Sequence, residues 1–283
     1  MLANSATLVR LQINQLGLSK KDNAITDVAH DAYGINDARA GHYRKFMVDR
    51  TDVLKISKTA NTARSLHRVM TVPWGYDNYR LLPATLIQKY TRKIKQFKIE
   101  FDSHVSDLEV RWPSIINAAK LRLGPAFDPN DYAMASEIPK AYLFDIHFKP
   151  IPQDDHFVLE VEKETLKEIK DKLNVEQEQN LENAMANLWH RLYEVVERMA
   201  ERLDDKNPRI FKTLVTNIEE LTSILPDLNL TGDPQLTDMC NDVKDKLCAY
   251  TAGQLKKDGR IRKQAASDAK DIQQRMDAIM GKV

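Results

Sequence analysis

The stretch Met185 to Leu203, MANLWHRLYEVVERMAERL, limits what this chain can fold into more than any other. Its apolar residues Met185, Leu188, Trp189, Leu192, Val195, Val196, Met199 and Leu203 recur at steps of three or four, or as neighbouring pairs at that spacing, which draws one stripe along an α-helix. Arg191, Glu194, Glu197, Arg198, Glu201 and Arg202 occupy the other face. Glu194 precedes Arg198 by one helical turn, the favourable order for that pair. Trp189 and Tyr193 supply large apolar area, so the helix is expected to be the spine of a helical core.

Other stretches repeat this period. Leu86, Ile87, Tyr90, Ile94, Phe97, Phe101, Val105 and Leu108 mark a long helix opened by Pro83 and bent or restarted at Trp112-Pro113. Lys58 to Met70 and Phe211 to Leu225 are shorter helices, the second ended by Pro226. Asp233-Pro234 reads as an N-cap followed by proline at the first helical position, opening a helix that runs past Tyr250. In the tail, Ile261, Ala265, Ala269, Ile272, Met276 and Ile279 form a thin heptad-like seam.

Two stretches alternate instead. Ala6 to Asn14 and Tyr142 to Phe148 read as strands, and a strand needs a partner for its backbone groups. For the second, the partners in view are residues 7–14 and Phe157 to Val161. Only 9 glycines serve 283 residues, which disfavours an all-β fold with many tight turns. The expected fold is therefore mainly α, with long antiparallel helices (a helical bundle or coiled-coil hairpin) and a small antiparallel β-sheet. The expected organisation is an N-terminal strand with short helices over 1–55, a helical core with the small sheet over 56–250, and a basic amphipathic C-terminal helix over 251–283.

No run approaches the ~18 apolar residues of a membrane span. The first residues lack a basic segment followed by an apolar one, so no secretory signal is expected. Cys240 and Cys248, eight apart on one predicted helix, suit neither a disulfide nor a zinc site by themselves. A reduced, cytoplasmic protein is expected.

The net charge of +1 conceals a segregation. Residues 41–100 carry +9, residues 101–250 carry −12 and residues 251–283 carry +4. The basic block interleaves aromatic groups: His42, Tyr43, Arg44, Lys45, Phe46, then Trp74, Tyr76, Tyr79, Arg80, then Lys89, Tyr90, Arg92, Lys93, Lys95, Phe97 and Lys98. Cationic side chains neutralise phosphates and aromatic faces stack bases, so the block points to nucleic acid. Lys89, Arg92 and Lys93 share one helix face, with Lys95 and Lys98 toward an adjoining one, whereas Tyr90 and Phe97 fall on the apolar stripe. The expected nucleic-acid-binding residues are Arg44, Lys45, Arg80, Lys89, Arg92, Lys93, Lys95 and Lys98. The plainer alternative is a solvated face, or one paired with the chain's own acidic half.

Motifs for chemistry are scarce. There is no GxxxxGK[ST], GxGxxG, HExxH or GxSxG. Asp145 with His147, two apart on a strand, and Asp154, Asp155 with His156, are the local acid–histidine groups, and each reads most simply as a polar surface. No catalytic residue, metal site or cofactor is expected. The tail, with Lys256, Lys257, Arg260, Arg262 and Lys263 ahead of its seam, could bind an acidic partner or a second copy of the chain, or pack as an ordinary terminal helix.

The succession SLHRVMTVPWGYDNYRLLPA, LRLGPAFDPNDYAMASEI, FKPIP, AMANLWHRLYEVVERMAERL and LVTNIEELTSILPDLNLTGDP, over about residues 55–240, resembles an uncharacterised phage and bacterial family of unknown function. Members of that family are often encoded near MoxR-like AAA+ ATPases and von Willebrand A proteins. The resemblance implies a substrate or adaptor of such a remodelling machine and supplies no active site. Together these features lead to the expectation of a non-enzymatic protein of phage or bacterial DNA metabolism, in the host cytoplasm if phage-encoded, partnered by DNA or RNA, by an AAA+ ATPase or von Willebrand A protein, or by a second copy of itself. The third reading is an enzyme with a dispersed active site, with Asp145 and His147 as a metal-holding or general-base pair.

Overall fold

A computed structural model of the chain describes residues 2–75, 77–152, 163–205 and 210–281. In chain order the elements are β1 (Ala6–Asn14), β2 (Ser19–Lys21), α1 (Asn23–Tyr33), β3 (Arg44–Phe46), α2 (Leu54–Val69), β4 (Val72–Pro73), β5 (Arg80–Pro83), α3 (Ile87–Leu123), β6 (Leu143–Lys149), α4 (Lys163–Asp204), α5 (Lys212–Leu228), α6 (Pro234–Leu247), α7 (Ala252–Lys257) and α8 (Gly259–Met280). The fold is mainly helical, with long helices and a four-stranded antiparallel sheet in the order β4-β5-β1-β6. The expected strand at Phe157–Val161, the group Asp154, Asp155, His156, and Tyr76 lie outside the described residues.

The chain divides into two compact units. The first comprises residues 1–10, 67–90 and 148–283. Its spine is α4, whose Leu188, Leu192, Val196 and Met199 are fully buried, with Trp189 6% exposed. Helix α8 lies along α4: Lys270 meets Asp204 and Gln273 meets Tyr193, so the two run antiparallel. The tail seam is spent here, because Ala265, Ala269, Ile272 and Met276 are all sealed from solvent. Helices α5 and α6 complete the layer through Ile218, Leu225, Leu236 and Val243. Asp233 joins two of these helices. One carboxylate oxygen caps α6 at the Gln235 N–H (2.9 Å), and the other accepts the Trp189 Nε1–H (3.2 Å). In the sheet, Ala6 pairs with Pro83 and Val9 with Arg80, and Val72 pairs with Leu81.

The second unit comprises residues 11–66 and 91–147. Apolar residues of α2 (Ile56, Ala60, Ala63) and α3 (Ile94, Phe101, Leu108, Trp112) are buried in it. The Phe101 ring meets Tyr142 edge-on at 6.0 Å and Phe144 at 5.4 Å. A two-stranded ribbon pairs Ser19 with Phe46, Lys20 with Lys45 and Lys21 with Arg44.

Prolines and short motifs move several expected boundaries. Pro83 does not open the long helix. It ends β5, where no ladder N–H is required of it, and a 3-10 turn over Ala84–Leu86 leads into α3. Pro113 does not restart the helix: α3 runs through it from Ile87 to Leu123. Beside it, Ser114 Oγ donates to the Arg111 carbonyl (2.7 Å), and buried Trp112 donates through Nε1 to the Ala133 carbonyl (2.9 Å). Pro226 lies inside the last turn of α5. Helix α6 stops at Leu247, short of Tyr250, because Thr251 and Gln254 form a capping box that starts α7, and Asp258 then caps α8. Residues 44–46, expected within short helices, are strand β3.

Candidate nucleic-acid interface

Alternation along β3 sorts the first basic–aromatic cluster. Arg44 and Phe46 point outward and Lys45 inward, as the two-residue strand period requires. Phe46 is 48% and Tyr43 42% exposed, and the Arg50 guanidinium stands 5.9 Å from the Phe46 ring centre. Arg44 is tethered by its own ribbon, donating to Ser19 Oγ (3.1 Å) and the Ser19 carbonyl (3.2 Å).

Lys45 departs from the expected set. Its side chain is 7% exposed, and its ammonium meets Asp131 at 2.8 Å, Asp22 at 3.0 Å and the Ala126 carbonyl at 2.9 Å. Two carboxylates and a carbonyl thus enclose the ammonium, and its 7% exposure leaves no open side for a phosphate. Its proton is held more tightly than usual, first by the hydrogen bond to Asp131. Asp131 is lowered in turn, by Lys20 first and then Lys45. Asp22 is lowered chiefly by the Ile25 N–H that it caps, then by Lys45. Lys45 is therefore a structural cation of the second unit.

On α3 the exposed residues are Lys89, Arg92, Lys93, Lys95 and Lys98. Lys98 pairs with Asp102 one turn on (3.1 Å). Among the described residues Lys89, Arg92, Lys93 and Lys95 have no carboxylate within ion-pair distance. The second unit places Arg92, Lys93 and Lys95 on two turns of this helix, and Lys89 belongs to the segment assigned to the first unit. Tyr90 is fully buried, so it is no base platform.

The second cluster lies in the first unit, and Trp74 and Tyr79 there are each 7% exposed and offer no stacking face. Arg80 is half-buried. Its Nε donates to Thr71 Oγ1 (2.6 Å) and its Nη2 to the Thr71 carbonyl (3.1 Å). Arg191 of α4 reaches the same carbonyl through Nη2 (2.8 Å) and the Val69 carbonyl through Nη1 (3.5 Å). The two guanidiniums thus share one oxygen just past the C-terminal end of α2, where unbonded carbonyls favour cations. Burial, then the charge of Arg80, lowers the Arg191 pKa to about 10, so it stays protonated at neutral pH. Arg80 is lowered by burial and by Arg68. Beneath them His67 Nδ1 lies 2.8 Å from the Tyr90 hydroxyl. Burial, with Arg80 and Arg68, holds His67 down to about 4.

Sequence reasoning placed Arg191 on the polar face of the spine and missed this pairing. The available signal was its position between Leu188 and Leu192 of the apolar stripe, where a long side chain borders the core.

Asp145 and His147 do sit on one side of β6, 3.5 Å apart, and both are substantially exposed (53% and 38%). Among the described residues no three His, Cys, Asp or Glu side chains gather as metal ligands, and no helix is long and apolar enough to cross a membrane. Cys240 and Cys248 are free thiols, both pushed up to about 11 by burial. The first unit also holds a groove of about 550 Å³, lined by Leu181, Met185, Trp189 and Met280 with Glu178 and Glu182. Comparisons with family models, with curated proteins and with solved structures find no match.

Proposed function

We propose that this chain is a non-enzymatic protein of phage or bacterial DNA metabolism that binds the nucleic-acid backbone through the basic face of α3. One observation carries the reading: Lys89, Arg92, Lys93 and Lys95 are exposed within two helical turns and, among the described residues, meet no carboxylate. An exposed, unneutralised row of cations attracts a polyanion, and each phosphate neutralised releases counterions. Elsewhere in the second unit, Arg44 and Arg50 with exposed Phe46 offer two cations and a stacking surface of the kind single strands use. Lys98 contributes less, because Asp102 already engages it, and Lys45 contributes structure only.

The test is charge reversal. Lys89→Glu, Arg92→Glu and Lys93→Glu together should abolish binding to DNA or RNA of any sequence, since phosphate contacts carry no base information. The fold should survive, because exposed charges contribute little to stability. Binding unchanged in the triple variant would remove the reading.

A second reading is supported by the groove on α4. An apolar lining beside Glu178 and Glu182 suits a basic amphipathic segment of a protein partner. This fits an adaptor for a MoxR-like AAA+ ATPase or von Willebrand A protein, and it moves to first place if nucleic acid fails to bind.

A further inference from the structure

We infer that Arg80 and Arg191 form a binding site for a single phosphoryl group, separate from the α3 face and not dependent on it. Both guanidiniums lie within 3.1 Å of the Thr71 carbonyl oxygen, so two like charges are held side by side in a half-buried place. Helix-end carbonyls account for one such cation. They do not account for two, because a dipole does not neutralise a second full charge drawn out of water.

No carboxylate of the described residues pairs with either guanidinium. The acid felt by Arg191 is Glu194, which engages His190 instead (3.3 Å). His67 supplies no negative charge, and its low pKa keeps it from adding a third positive one. Arg68 adds to the positive field at Arg80. The donors already used are Nε and Nη2 of Arg80, and Nη1 and Nη2 of Arg191. Each guanidinium spends two of its five N–H groups in this way, so Nη1 of Arg80 and Nε of Arg191 carry no hydrogen bond among the described residues. Two anchored planar forks with unused N–H groups match the tetrahedral oxygens of a phosphate, where lysine would act only as a point charge. Their anchoring on Thr71 fixes them beforehand and reduces the ordering cost of binding. The ligand chemistry is a phosphoryl oxygen set, which a free phosphate, a phosphomonoester or a nucleic-acid phosphodiester could each provide.

The experiment follows the arginine Nε–H resonances of the intact protein by NMR while inorganic phosphate replaces chloride at constant ionic strength. Saturable shifts at Arg80 and Arg191 are expected. Arg191→Gln should weaken phosphate binding by roughly tenfold or more, the worth of a charge-assisted hydrogen bond. Arg191→Lys, which keeps the charge and loses the fork, should also weaken it. Parallel titrations with a nucleoside monophosphate and with a dinucleoside monophosphate, whose phosphate is a diester, separate the sources: response to the first alone assigns a monoester site, and response to both assigns a backbone site. Absence of saturable shifts in the wild-type protein with any of the three ligands would overturn the inference. So would phosphate affinity unchanged in a folded Arg191→Gln or Arg191→Lys protein. If the glutamine variant does not fold, the wild-type titration and the lysine variant decide alone.

Discussion

Lys45 in the second unit and the Arg80–Arg191 pair in the first are both cations withdrawn from water, and the protein treats them in opposite ways. Around Lys45 it gathers two carboxylates and a carbonyl, so opposite charge surrounds the ammonium. Among the described residues the arginines hydrogen-bond to carbonyls and one hydroxyl and to no carboxylate, and two positive charges share an oxygen. A buried cation that its own chain neutralises is a fastener. One that is only oriented keeps its charge for something outside the chain. The same logic separates Lys98, engaged by Asp102, from Lys93 and Arg92, which are exposed and meet no acid among the described residues.

Removing the fastener should have the largest effect. Lys45→Met leaves Asp131 and Asp22 facing each other without their shared cation, and removing one partner of a buried pair costs about 3–5 kcal/mol. Equilibrium denaturation would show it, and a loss under about 1 kcal/mol would mean that Lys45 is no more structural than its exposed neighbours.

An intermediate effect is expected from pH. The His67 pKa is about 4 in the folded protein against 6.5 ordinarily, so the unfolded chain binds this proton first. Stability should therefore fall as pH drops from about 6.5 to 4, by up to about 3 kcal/mol. His67→Asn should flatten that window. A profile identical in wild type and variant would place His67 in solvent.

The smallest effect is expected at Arg191. Without phosphate, Arg191→Gln gives up hydrogen bonds to Thr71 and Val69 but relieves repulsion at Arg80, so its net change in stability should stay within about 1 kcal/mol. A loss near that of Lys45→Met would erase the contrast and make the arginines structural.

Much of this fold was legible in the sequence where periodicity was long. The stripe from Met185 to Leu203, the strand at Ala6–Asn14 and the Asp233-Pro234 helix start are local patterns, and local patterns survive folding. Leu81-Leu82-Pro83 misled because a short apolar run before proline suits a strand end as well as a helix start. Pro113 does not restart the helix, and Trp112 beside it is buried, a tertiary contact that the local pattern does not show. The basic residues were legible as a block but not as individuals. Lys45 is set apart by Asp22 and Asp131, and Arg80 by Arg191, and none of these partners is near it in sequence.

The most direct test of the nucleic-acid reading is the salt dependence of binding by the intact protein to a labelled oligonucleotide, single- and double-stranded. Three or four neutralised phosphates should give log K against log salt a slope of about −3 on duplex, unchanged when the sequence is scrambled. A flat dependence, or no binding at low salt, would contradict it.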